Sequence, residues 1–169
     1  MSRKIVFIIA GTLIFSISLF LGYLVIDKLL YKKQILNKIQ SLPEVPLYDL
    51  DSTSFQLSSI NPTVLIYFNT ECEHCQYEAV EIKKSIEYFK KESIMLISSE
   101  GIKEITEFSR KLGLNIYSFV NFAKIKPEDV YQTFGSIHAS HVFIYSREGT
   151  LVKDFNGEVK VELILKFLQ

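Results

Sequence analysis

Ile5 to Ile26 is a run of 22 residues without a charged side chain. A backbone in hydrocarbon must satisfy its own N–H and C=O groups, so such a run can enter a bilayer only as a helix. At 1.5 Å per residue it spans about 33 Å, enough for a bilayer core. The run divides the chain: residues 1–27 read as a membrane anchor, and the rest must build its own core. A cleaved secretory signal is the competing expectation, with Ser2-Arg3-Lys4 as its charged start. The apolar stretch is long for a signal core, however, and no small-x-small cleavage site follows it. No cysteine lies nearby to accept a lipid. A single-pass anchor in the cytoplasmic (inner) membrane is therefore expected.

Charge count does not settle the orientation. Arg3, Lys4 and the N-terminal amine lie on one side, and Lys28, Lys32, Lys33 and Lys38, tempered by Asp27, lie on the other. A short N-terminal tail kept inside is the usual outcome, and it places the body of the protein in the periplasm or outside the cell. Residues 28–44 read as a stalk, with apolar positions 29, 30, 35, 36 and 39 among lysines. Pro43 and Pro46 end it. Residues 45–169 remain, enough for one domain. The net charge is zero and no basic stripe interleaves with aromatics, so a nucleic-acid partner is not expected.

Within that domain, Leu47–Leu50 and Ser54–Leu57 read as two strands around an Asp51-Ser52-Thr53 turn. Thr63–Phe68 is nearly all apolar, as a central strand covered on both faces would be. A helix is expected from about Cys72 to Lys90, with Ala79, Ile82, Ile86 and Phe89 on one face. Ile94–Ile97 reads as a second buried strand, and 102–112 as a helix stopped by Gly113. Residues 114–126 carry no clear pattern. Pro127 opens a short helix to Phe134. Val142–Tyr145 and Leu151–Phe155 flank Arg147-Glu148-Gly149 as a hairpin, and 159–168 reads as a closing helix. The order implies an α/β fold: a mixed sheet with helices on both faces.

The only two cysteines are Cys72 and Cys75, in Thr70-Glu71-Cys72-Glu73-His74-Cys75. They lie between the Val64–Phe68 strand and the long helical pattern. A pair three positions apart at a strand–helix junction can close a small disulfide ring and reopen it, which points to reversible thiol–disulfide chemistry. A structural disulfide, or an inactive remnant in a non-catalytic interaction domain, is the plainer alternative, although four-residue rings are poor staples. Cys72 falls at the helix N-terminus, where unpaired N–H groups and the positive dipole end favour a thiolate. It is the expected nucleophile. Cys75, one turn further in, is the expected resolving thiol.

These residues resemble the thioredoxin superfamily, in particular its membrane-anchored thiol–disulfide branch, the TlpA/ResA-like proteins. The resemblance covers about residues 45–169. It rests on Val64–Phe68, Cys72-Glu73-His74-Cys75, Glu78 three residues later, Phe143-Ile144-Tyr145 leading to Arg147-Glu148-Gly149, and the terminal helix. An extra N-terminal β-hairpin is typical of that branch. The resemblance implies a thioredoxin-like domain and disulfide exchange with protein thiol or disulfide substrates. It also implies an upstream thiol protein as electron donor or acceptor, and no bound cofactor. Glu78 matches the glutamate that reductive members hold near the disulfide, with a proposed role in moving the Cys75 proton. The alternative for Glu78 is a solvated helix carboxylate.

The chain departs from the family at three places. Glu71 stands where Trp usually precedes the first cysteine, and His74 where Pro commonly precedes the second. His74 resembles oxidising relatives, in which an imidazolium near the sulfur stabilises the thiolate. Glu71, Glu73, Glu78 and Glu81 oppose that effect. The third departure is Ser140, at the position of the family's substrate-facing cis-proline. A cis bond to a non-proline residue costs about 2.5–4 kcal/mol, so a trans bond is expected there. His138-Ala139-Ser140 also resembles the loop of Sco-type copper chaperones. Cys72, Cys75 and His138 would make a soft site suited to Cu(I), although Sco proteins place three residues between their cysteines and this chain places two. For His141 a strand position with ordinary hydrogen bonds is expected. A peroxiredoxin reading fails on spacing, because Thr70 is two residues before Cys72 and that family needs it three before.

Overall fold

The structure, a computed structural model, describes residues 3–168. Met1, Ser2 and Gln169, which the expected anchor and domain include, lie outside them. The chain forms two compact units that divide between Leu36 and Asn37, inside the expected stalk.

Helix α1 (Arg3–Ile39) has 37 residues. The first unit consists of this helix up to Leu36. Apolar side chains from Leu13 to Leu30, including Phe15, Leu19, Phe20, Tyr23 and Ile26, are exposed around its circumference. A helix apolar on every side has no stripe to turn toward a protein core. It is long and apolar enough to cross a membrane. No helix break separates the apolar run from the lysine-rich segment, where two helices or a helix and a stalk were expected.

The second unit is built on a seven-stranded mixed sheet. Its strands are β1 (Pro46–Tyr48), β2 (Ser54–Gln56), β3 (Val64–Tyr67), β4 (Ile94–Ser98), β5 (Val120–Lys124), β6 (His141–Tyr145) and β7 (Leu151–Asn156). They lie in the order β2-β1-β5-β4-β3-β6-β7. β3, β4 and β5 run parallel; on one side β6 pairs antiparallel with β3 and β7 with β6, and on the other β1 pairs antiparallel with β5 and β2 with β1. The N-terminal hairpin forms as expected. The Asp49 carboxylate caps its turn by accepting from the N–H groups of Asp51 and Thr53.

The apolar runs of β3, β4 and β6 follow from having two covered faces. Alternate residues go to opposite sides. Val64, Ile66, Ile94, Leu96, Val142 and Ile144 join one core, with residues from α3 (Glu73–Lys84), α4 (Ile102–Leu112) and α6 (Val161–Lys166). Leu65, Met95, Ile97, Phe143 and Tyr145 join the other, with Ile39 and residues of α5 (Pro127–Phe134).

Three elements differ from expectation. Residues 114–126 contain β5, whose Asn121 and Lys124 break the apolar pattern that marks the other inner strands. A one-turn helix, α2 (Leu57–Ile60), follows β2. The helix expected to reach Lys90 ends at Lys84, and a 3-10 turn (Ile86–Phe89) continues it. Ala79, Ile82, Ile86 and Phe89 still reach the core, so the buried face holds across the break.

Candidate active site

β3 delivers the chain to the cysteines. The loop after Phe68 is pinned from the end of β4: the Glu100 carboxylate accepts from the Thr70 N–H at 2.7 Å, the Thr70 hydroxyl at 2.9 Å and the Ser98 hydroxyl at 3.1 Å. Gln76, on the first turns of α3, donates to the Thr70 carbonyl at 2.7 Å. Loop and helix are thereby joined on both sides of the motif.

Cys72 is the N-cap of α3, in extended conformation. Its Sγ accepts from the Cys75 N–H at 3.4 Å, so the sulfur takes the capping place that a Ser or Asp oxygen often fills. Both cysteines are free thiols; Cys72 is half-buried and Cys75 buried. Burial, and then the hydrogen bond and charge of Cys72, push the Cys75 thiol up to about 12.

Glu78 is one turn beyond Cys75 on the same helix face and is buried, at 2% exposure. The solvated-carboxylate alternative is thus corrected: two partners from distant chain hold it inside. The Ser140 hydroxyl donates to Oε2, and the Val159 N–H reaches Oε1 at 3.4 Å. Burial raises its pKa to about 7 against the pull of those two donors, with the Glu158 charge adding to the rise. Glu78 is among the residues lining a cleft of about 300 Å³, with Tyr77, Glu81, Val159, Lys160 and Glu162.

Ser140 sits buried at the start of β6 and faces Glu78. The Ala139–Ser140 peptide is cis, which corrects the expected trans bond. That expectation is a local rule. Here contacts from far along the chain hold both sides of the residue: its hydroxyl on Glu78 and its carbonyl on the Gly157 N–H at 2.8 Å.

His74 is exposed, and its Nδ1 lies 2.6 Å from Glu158 Oε2. Glu158 had no signal in the sequence. Glu71 and Glu73 are exposed, and Glu81 pairs with Lys84 at 2.7 Å. His138 is exposed. Among the described residues no group of three His, Cys, Asp or Glu side chains is gathered closely enough to hold a metal ion, so His138 is not brought to the sulfurs. His141 takes the expected strand position, at the start of β6, but not the expected hydrogen bonds. Its ring is buried and stacked on Phe143 at 4.4 Å, and neither nitrogen has a hydrogen-bond partner among the described residues. Asp154 Oδ2 is 3.6 Å from Nε2, beyond hydrogen-bond reach but close enough to act by charge. Burial lowers the His141 pKa, and Asp154 partly offsets it.

No family model matches the sequence, and no curated protein shows significant similarity to it. Solved structures do match. A secreted Mycobacterium tuberculosis disulfide oxidoreductase homologous to E. coli DsbE is 14% identical, with a TM-score of 0.62 over 78% of this chain and 96% of that one. M. tuberculosis DsbF, solved in mixed oxidised and reduced forms, is 16% identical, with a TM-score of 0.60 over 77% and 93%. Arabidopsis thaliana ScoI with copper bound is 13% identical, with a TM-score of 0.57 over 73% and 95%. The second unit has the thioredoxin-like fold that these proteins share.

Proposed function

We propose that this thioredoxin-fold chain is a membrane-anchored thiol–disulfide oxidoreductase of the TlpA/ResA type. It exchanges disulfides with protein partners outside the cytoplasm through Cys72 and Cys75. One observation carries the reading: Cys72 caps α3 with its sulfur, Cys75 lies one turn behind it, and the buried Glu78 follows on the same face. The apolar α1 supports the anchor, with residues 5–26 in the bilayer. A redox-active pair suits an oxidising compartment, where thiol state must be managed.

In the reducing direction, the Cys72 thiolate attacks one sulfur of a substrate disulfide. A Cys72–substrate disulfide forms and the other substrate sulfur leaves as a thiolate. Cys75 must then lose its proton. In the free protein it holds that proton firmly, partly through the hydrogen bond and charge of Cys72. Once Cys72 is capped in the mixed disulfide, its charge is gone and that part of the barrier falls. Glu78 is placed to take the proton, since residues three apart on a helix are neighbours. The Cys75 thiolate attacks Cys72 Sγ, the substrate thiolate leaves, and the Cys72–Cys75 disulfide closes. The substrate has gained two electrons and the pair has lost them; an upstream thiol protein restores them. The same steps run backward for an oxidant.

Replacement of Cys75 by Ser in the full chain tests the reading. Mixed disulfides should accumulate on Cys72 in membranes and disappear on reduction or in Cys72→Ser. Absence of any Cys72 adduct would sink it. A copper-delivery reading would require His138 to meet both sulfurs, and the described residues gather no such set.

A further inference from the structure

Three consecutive residues after β7 each touch a different part of the site. The Gly157 N–H donates to the Ser140 carbonyl at 2.8 Å. The Glu158 carboxylate meets His74 Nδ1 at 2.6 Å. The Val159 N–H reaches Glu78 Oε1 at 3.4 Å. Only the middle contact is made by a side chain, so only there does residue identity decide what is delivered. What Glu158 delivers is a negative charge, placed on a ring in the first turn of α3 two residues from the nucleophile.

We propose that Glu158 is a positioning residue for thiol–disulfide exchange: its carboxylate holds the His74 ring and compensates its charge, making the Cys72–Cys75 pair more reducing than it would be with His74 unpaired. An unpaired imidazolium two residues from Cys72 would favour the thiolate by its charge, and with it the reduced form. With a carboxylate on Nδ1, the ring and its partner carry little net charge when the ring is protonated. The thiolate then gains little from His74. The same carboxylate adds to the rise of the Glu78 pKa, so its charge is also felt by the buried carboxyl of the site. The geometry gives the motif's histidine a different outcome from the one its position in the sequence implies.

This inference rests on the exchange reading above. The full-length protein in detergent micelles would be equilibrated at pH 6, where an imidazole is largely protonated, with mixtures of reduced and oxidised glutathione. Two glutathione thiols reduce one Cys72–Cys75 disulfide and become one oxidised glutathione, a two-electron exchange. Thiol alkylation and mass spectrometry then give the fraction reduced. Glu158→Gln should shift the equilibrium about threefold toward the dithiol, the scale of an exposed ion pair. At 29.6 mV per tenfold this is a rise of ~14 mV. His74→Ala should abolish the effect of Glu158→Gln in the double variant, because no ring remains to be released. No shift, or an equal shift in both backgrounds, overturns the role of Glu158 while a reversible titration of the parent leaves exchange standing. A parent that does not titrate reversibly overturns both.

Discussion

Replacing Glu78 by Gln tests the buried carboxylate directly. Glu78 is raised from an ordinary 4.5 to about 7, first by burial. Between these values the folded protein holds a proton that the unfolded chain has released. Stability then falls as pH rises, because the slope follows protons bound unfolded minus protons bound folded. The neutral carboxyl's advantage is fully present below pH 4.5 and gone once pH has passed about 7. Over that window, at 1.36 kcal/mol per pH unit, it amounts to about 3 kcal/mol. His141 tilts the parent's profile the other way, since its lowered pKa makes stability rise toward 6.5. Gln carries no titrating group, so subtracting the two profiles isolates Glu78. The assay is urea unfolding of the reduced full-length protein from pH 4.5 to 8, parent against Glu78→Gln. The variant should gain about 3 kcal/mol relative to the parent across the range. Parallel profiles would refute a buried carboxylate with a raised pKa and remove the proposed proton carrier for Cys75.

Two further substitutions probe the same neighbourhood. Ser140→Ala removes a donor that holds the Glu78 pKa down, so the window found by the same subtraction should move upward in pH; an unmoved window would mean that the Ser140 hydroxyl does not reach the carboxylate. Glu100→Gln leaves one oxygen and an amide where the Thr70 N–H, the Thr70 hydroxyl and the Ser98 hydroxyl now donate. It should cost about 1–3 kcal/mol in urea unfolding and slow alkylation of Cys72 by loosening the loop before it; a variant as stable and as reactive as the parent would show that the clamp does not position Cys72.

Much of the fold is legible because its physics is local. The runs Val64–Tyr67, Ile94–Ile97 and Val142–Tyr145 hold apolar or aromatic residues at every position, which reports two covered faces before any partner is known. The Pro127 helix start, the Gly113 stop and the Asp49 turn chemistry are likewise local. β5 escapes because Asn121 and Lys124 interrupt its pattern; its place between β1 and β4 comes from pairing that no window of sequence contains.

The site divides along the same line. Cys72 and Cys75 are readable as a strand–helix junction pair, since spacing and helix position alone bring them together. The sequence by itself therefore determined an apolar span able to cross a bilayer, an α/β domain and a two-thiol motif at a helix start. Tertiary structure alone decided how that motif is surrounded. Glu78 could have faced water or the core; Ser140, 62 positions away, and Val159, 81 away, hold it inside. His74 could have served the sulfur; Glu158, 84 positions on, takes its ring. Burial and charge pairing are properties of what a fold brings near, and these partners meet only after the sheet has closed.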